Sequence, residues 1–322
     1  MRSRPLFIHG IGVALAAMAA GVMAPSCIYD YPDPDCIDDV TTGSVSVTID
    51  WAQAPDADPE GMTTLFYPVS GGDYYQYEFA PAGGKARLAD GFYDVACVNN
   101  DTGATLFEGQ DSYASLLVST RTARLTDGLS LDYPYSQPPR AAGEGTQPVV
   151  NAPDPLWGIG TEGLAVTGGT GEVTLRPVPL TCRYRVELYD VVNIESASQV
   201  SMAISGLAAG RYVSTAEPIA VSVAVPGSLR RTDVAILSGQ MLNFGRHRDP
   251  VSCLLSVYVL LKDGERLLFR YDVTDLVDSA PDPHDVTVRL KGPELPAVQS
   301  APGAGLDVGV DDWDIIEIEL ST

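Results

Sequence analysis

The stretch VYVLLKDGERLLFRY, Val257–Tyr271, sets two apolar runs on either side of Asp263-Gly264. Asp-Gly suits a tight turn, because its glycine takes a positive φ without steric cost, and apolar runs flanking it are a strong short-range hairpin signal. Two antiparallel strands joined at Gly264 are therefore expected here.

The same style recurs outward from that hairpin. TCRYRVELYDV (Thr181–Val191), SQVSMAISGL (Ser198–Leu207), VSVAVP (Val221–Pro226), HDVTVRL (His284–Leu290) and WDIIEIEL (Trp313–Leu320) are short runs rich in β-branched and aromatic residues. Earlier in the chain, GSVSVTIDW (Gly43–Trp51) places Val45, Val47 and Ile49 on one face and Ser44, Ser46, Thr48 and Asp50 on the other. That period of two is the mark of a half-buried strand. TTLFYPV, YYQYEFAP, KARLADGFYDVACVNND and ATLFEG continue it, with SGGD, PAGG and NNDTG as turns. Helical periodicity competes only in Tyr113–Leu131 and Val191–Val200. Strands at roughly ten-residue spacing predict an all-β protein built from β-sandwiches. A Pro- and Gly-rich connection runs from Asp132 to Glu172, and EVTLRPVPLTCRYRVEL begins a fresh set of strands, so two domains are expected, 42–170 and 171–322.

The N-terminus reads differently. Arg2 and Arg4 precede an apolar run from Ile8 to Met23. The run is shorter than the roughly twenty residues that span a bilayer as a helix, so residues 1–26 are read as an export signal. Ala24 and Ser26 stand before Cys27 in a pattern that resembles a lipobox, which makes Cys27 the expected lipidation site. Ala24 and Pro25 depart from the usual pattern, and an ordinary signal-peptidase site is the alternative. Acyl chains contribute about 0.8 kcal/mol per buried methylene, enough to moor a protein without a spanning helix. Residues 27–41 form an acidic, Pro-containing tether, and neither Lys nor Arg occurs between Cys27 and Lys85. Like charges and proline keep such a tether extended.

Composition narrows the function. With 42 acidic against 20 basic residues the net charge is −22, so nucleic acid is excluded as a partner: a polyanion gains nothing from counterion release. Cys36, Cys97, Cys182 and Cys253 are scattered without a C-x-x-C pair, which gives a zinc cage no support; Cys97, Cys182 and Cys253 fall at apolar strand positions and one disulfide is left open. His247, between Arg246 and Arg248, and His284, in a Pro-Asp turn, have no G-x-S-x-G nucleophile to serve. GIGTEG matches G-x-G-x-x-G through Gly158, Gly160 and Gly163, but the residues after it, LAVTGGTG, do not read as a helix, so no dinucleotide site is expected. Asp56, Asp58, Glu60 and Gly61 imitate a calcium loop whose twelfth position is Tyr67 in place of the needed Glu. No catalytic residue, metal or cofactor is assigned.

RLADGFYDVACVNNDTGATLFEG and RPVPLTCRYRVELYDVVNIESASQVSMAISGLAAGRYVSTAEP resemble segments of Bacteroidota fimbrial anchor lipoproteins of the FimB type, and GLDVGVDDWDIIEIEL resembles their closing strand. The resemblance implies two tandem transthyretin-like Greek-key β-sandwiches. It also implies lipid anchorage in the outer membrane through Cys27, exposure at the cell surface, and a role at the base of a type V pilus. In that system stalk subunits are implied to lose their first strand to an Arg- or Lys-specific protease. The absence of any basic residue from Ile28 to Gly84 leaves such a protease nothing to cut around GSVSVTIDW. The expected function is therefore a non-enzymatic structural or adhesion subunit that accepts a partner's strand at a sheet edge, the partner being a fimbrial stalk subunit. Ile316, Ile318 and Leu320 of the closing strand are one candidate surface. The alternative is a surface lipoprotein binding carbohydrate or another ligand, with Tyr75 and Tyr77, beside Tyr74, as a stacking platform.

Overall fold

The computed structural model describes residues 42–125, 129, 147–168, 170–247, 249, 251–298 and 313–318. The leader, the tether, Cys27, Cys36 and Leu320 lie outside them. The described residues are almost entirely strands, in two β-sandwiches and one small sheet between them.

The first sandwich uses β1 (Thr42–Ile49), β2 (Met62–Pro68), β3 (Tyr75–Phe79), β4 (Gly83–Ala89), β5 (Gly91–Asn99), β8 (Trp157–Val166), β9 (Thr170–Leu175) and β10 (Val178–Pro179); β6 (Thr105–Glu108) and β7 (Leu117–Thr120) leave it. One sheet has the order β4-β1-β9 and faces a second of order β10-β8-β5-β2-β3. Val45, Val47 and Ile49 point from β1 into a core shared with Met62, Phe66, Val95, Cys97 and Leu175, as their alternation requires. β1 sits between two neighbours, antiparallel to β4 and parallel to β9.

The second sandwich is built from β11 (Cys182–Tyr189), β12 (Ala197–Ala208), β14 (Ser222–Ser228), β15 (Arg230–Asp233), β16 (Ile236–Asn243), β17 (Leu254–Leu261), β18 (Arg266–Asp272), β19 (Asp285–Lys291) and β20 (Asp314–Ile318), while β13 (Gly210–Tyr212) leaves it. Its sheets have the orders β15-β16-β11-β19 and β14-β12-β17-β18-β20. Here too the opening strand, β11, lies between an antiparallel neighbour and a parallel one, β16 and β19. The β17–β18 hairpin forms as expected, pairing Leu254 with Asp272 through to Leu260 with Arg266 around Gly264 at φ 96°. In β12 the register shifts between Ile204 and Leu207 at Gly206, whose φ is 73°. A Cβ there would stand 2.3 Å from the Ser252 carbonyl oxygen, so only glycine fits.

The structure corrects one sequence expectation, decides two windows left open between helix and strand, and adds one short helix. The strand expected to open the second domain near Gly171 is β9, which closes the first sandwich by pairing with β1; the second sandwich's own strands begin at Cys182. The window Tyr113–Leu131 holds β7, and the window Val191–Val200 holds a single 3₁₀ turn, Ile194–Ser196, followed by the start of β12. A five-residue helix, α1 (Thr274–Asp278), occupies the β18–β19 connection. It is too short to show a helical period.

The connection between β5 and β8 also does more than link. β6 and β7 pair with each other, and β7 with β13 from the second half, making a three-stranded sheet. Leu65, Tyr67, Ala96 and Val98, on the face of β2 and β5 opposite the first core, pack there with Val118, Leu156, Leu180, Val213 and Phe244. The stretches Leu65–Tyr67 of β2 and Val95–Val98 of β5 are thus buried on both faces, which explains why they are continuously apolar. Farther along, Leu125, Leu129 and Val149 cover Ala203, Ala224, Tyr258 and Leu268 on the second sandwich.

The NNDTG turn is pinned by side chains. The buried Asn99 amide donates to Asp101 Oδ1 (2.7 Å) and to the Pro155 carbonyl (3.1 Å), and its oxygen accepts from Trp157 N–H (2.8 Å). Asp154 accepts from the N–H groups of Gly103, Ala104 and Thr105. Partial burial alone would raise the Asp101 carboxyl, yet the Asn99 amide and the Glu60 N–H hold it below the usual carboxylate range. A lowered folded pKa gives stability that is present above the unfolded value, about 3.9, and lost as pH falls through the folded value. Asp101→Asn is accordingly expected to lower Tm near neutrality and to flatten its fall in acid, as read by thermal melts across pH.

Candidate functional site

A partner's strand needs a terminal strand to pair with, since inner strands have both edges filled. β20 ends its sheet, running parallel to β18. Ile316 and Ile318 lie opposite Phe269 and Tyr271, and Ile318 packs on the second core. Ile316 is 38% exposed and Ile315, on the other face, 47%. Glu317 accepts from the Arg270 guanidinium, and Trp313 is buried edge-on against Tyr258 at 5.4 Å. β20 is clipped down towards both ends of its described length, and among the described residues no strand pairs with its outer edge.

Tyr75 and Tyr77 do share a face of β3, but that face points inward. Tyr75 packs edge-on against Tyr93 (6.0 Å), and Tyr77 lies against Phe66 and Phe79, each at 5.9 Å. The Tyr77 hydroxyl donates to the Arg87 carbonyl (2.6 Å) and accepts from the Arg87 N–H (3.1 Å), tying β3 to β4 across the open side of the sandwich. Tyr74 packs on Tyr67 over the opposite face of the sheet. The rings are occupied by the fold and offer no shared flat platform.

A cysteine and a histidine do meet in the second half. Cys182 Sγ lies 3.6 Å from His284 Nδ1 and 3.7 Å from an Arg211 guanidinium nitrogen. The thiol's residue is 1% exposed, and burial pushes the thiol up to about 11 despite the nearby Arg211. A protonated thiol that no substrate reaches is not a nucleophile. The glycines of GIGTEG lie within strand β8, with no helix after them. Among the described residues no group of three or more His, Cys, Asp or Glu is placed to hold a metal ion.

One concave feature was missed by sequence reasoning. β14 runs beside β12 only from Ser201 to Ala208, then crosses at Leu229 to become β15 in the facing sheet. The crossing leaves a cleft of about 480 Å³ floored by Ile194, Val200, Leu229 and Leu237 and edged by Arg230, Arg231 and Lys262. Its lining comes from four separate stretches of chain. The only sequence signal was two adjacent arginines in an acidic protein.

A family described as a domain of unknown function, DUF5119, matches residues 35–226, from before β1 through the first sandwich and into β14. The chain belongs to that family. Over 133 residues it is also 27% identical to a putative fimbrium anchoring subunit, Fim4B, of Bacteroides ovatus, covering 41% of this chain and 35% of that protein. The chain thus spans about a third of that relative's length. A putative adhesin structure from Bacteroides ovatus superposes with a TM-score of 0.61 at 18% identity, covering 80% of this chain and 94% of the other. A putative adhesin from Bacteroides thetaiotaomicron gives 0.50 at 14% identity, covering 80% and 93%. At these identities the likeness is one of fold, and it extends beyond the DUF5119 match into the second sandwich.

Proposed function

We propose that this DUF5119 protein is a non-enzymatic structural or adhesion subunit of a surface fimbrium. In this reading lipid on Cys27 moors it to the outer membrane, and a sheet edge receives the strand of a partner subunit. The observation that carries the reading is the place of β1. It fills the middle of its sheet, and neither Lys nor Arg occurs from Ile28 to Gly84 to expose it to a basic-specific protease. A subunit that keeps its own first strand has no vacant slot there, which suits an anchor or terminator better than a repeating stalk unit. The anchoring-subunit relative supports the same reading. The carbohydrate alternative loses its motive, since Tyr75 and Tyr77 pack into the fold.

Two measurements test it. Metabolic palmitate labelling of the expressed chain is expected to vanish in Cys27→Ser, with the protein moving from the membrane to the soluble fraction; unchanged labelling would remove the tether. Tagged chain purified from cells making fimbriae is expected to bring down a fimbrial stalk subunit identified by mass spectrometry. Its absence would defeat the strand-accepting role.

A further inference from the structure

We propose that the cleft between β12, β15 and the β17–β18 hairpin takes an extended acidic polypeptide segment of a partner protein, laid beside β15, with branched apolar side chains alternating with carboxylates. The proposal rests on the strand-accepting reading above and names a site for it.

Five observations converge. The cleft's volume, about 480 Å³, falls within the roughly 300–1,000 Å³ typical of ligand pockets. Its floor is apolar, whereas its rim is basic in a chain with 42 acidic and only 20 basic residues. Arg230 and Lys262 are exposed there and neither forms a salt bridge among the described residues, although acids outnumber bases twofold. Arg231 is held in place by donating to the carbonyls of Asp233 (3.1 Å) and Val234 (3.0 Å), and Glu195 is the only acid among the described residues lining the cleft. Finally, β15 is the terminal strand of its sheet, all four of its residues are exposed, and two of them, Arg230 and Arg231, line the cleft.

These features specify the occupant. An added strand pairs through its main chain and sends alternate side chains to opposite faces. One set can enter an apolar floor while the other stays at the rim, where carboxylates meet Arg230 and Lys262. A sulfated glycan would satisfy the cations but has no peptide main chain to pair with β15.

The test uses the exported chain and fluorescence anisotropy with two labelled heptapeptides, DIIEIEL and its basic counterpart KIIKIKL. The acidic peptide is expected to bind, more weakly at high salt, and the basic one not to bind. Exposed ion pairs contribute little singly, but reversing two cations should weaken the acidic peptide at least about tenfold in Arg230→Glu/Lys262→Glu. Both side chains are exposed, so an unchanged melting temperature will show that the variant is folded. Equal binding to variant and parent, no binding of DIIEIEL, or binding of a sulfated heparin oligosaccharide in its place would each overturn the assignment. If the peptide fails while a stalk subunit still co-purifies with the chain, the cleft assignment falls and the strand-accepting reading stands. If the peptide binds but no stalk subunit co-purifies, that reading falls and the cleft remains a peptide site.

Discussion

Val47→Asp in β1 is expected to abolish folding of the first sandwich, while Thr48→Asp, one residue away, leaves it intact. Val47 is 3% exposed in the core with Met62, Phe66 and Val95, whereas Thr48 faces solvent. Burial of a valine contributes about 1.5–3 kcal/mol. An unpaired carboxylate in its place adds a desolvation cost of several kcal/mol. Together these approach the whole net stability of a domain, roughly 5–15 kcal/mol. The loss is large because β1 supports both its neighbours: without it β4 and β9 have no partner in that sheet. The measurement is soluble yield and urea unfolding of the two variants beside the parent. A Val47→Asp protein that unfolds at the parent's midpoint would show β1 to be dispensable, and the case for a retained first strand would go with it.

The same strand shows what the sequence could and could not tell. Its alternation of Val45, Val47 and Ile49 was readable because it arises from a period of two within nine residues. The β17–β18 hairpin was readable because Asp263-Gly264 fixes the turn and adjacency fixes the register. The parallel pairing of β1 with β9 was not, because Ser44 and Thr170 are far apart in the chain and no turn encodes their meeting. For that reason the fresh strands near Gly171 looked like the start of a domain and not the end of one. The small sheet of β6, β7 and β13 escaped notice because its strands are four, four and three residues long and come from both halves. The candidate surfaces divide in the same way. Ile316 and Ile318 share a face of β20 as their spacing requires. That Tyr75 and Tyr77 face inward depends on which side of β3 meets the facing sheet, and an alternating pattern fixes only that two faces exist.

Phe244→Ala is expected to uncouple the two sandwiches, so that a single unfolding transition becomes two. Phe244 is 1% exposed in the cluster where β2 and β5 of the first sandwich meet Leu180, Ala208 and Val213 of the second half. Deleting a buried phenylalanine side chain costs about 3–5 kcal/mol. That cost falls on the contact between sandwiches, since Phe244 belongs to neither sandwich's own core. The cysteines supply a readout for each half. Cys97 lies in the first core, and burial pushes its thiol up to about 12; Cys182 and Cys253 lie in the second core, and burial raises Cys182 to about 11. Folded, these thiols stay protonated and unreactive; unfolded, they return to about 8.5 and react with iodoacetamide in mild alkali. In the parent, Cys97 should become reactive at the same urea concentration as Cys182 and Cys253, read by mass spectrometry of the alkylated peptides. In Phe244→Ala the two sets should separate. Coincident exposure in the variant would mean that the sandwiches remain one cooperative unit without this side chain, and that β7–β13 pairing or the cover formed by Leu125, Leu129 and Val149 carries the coupling instead.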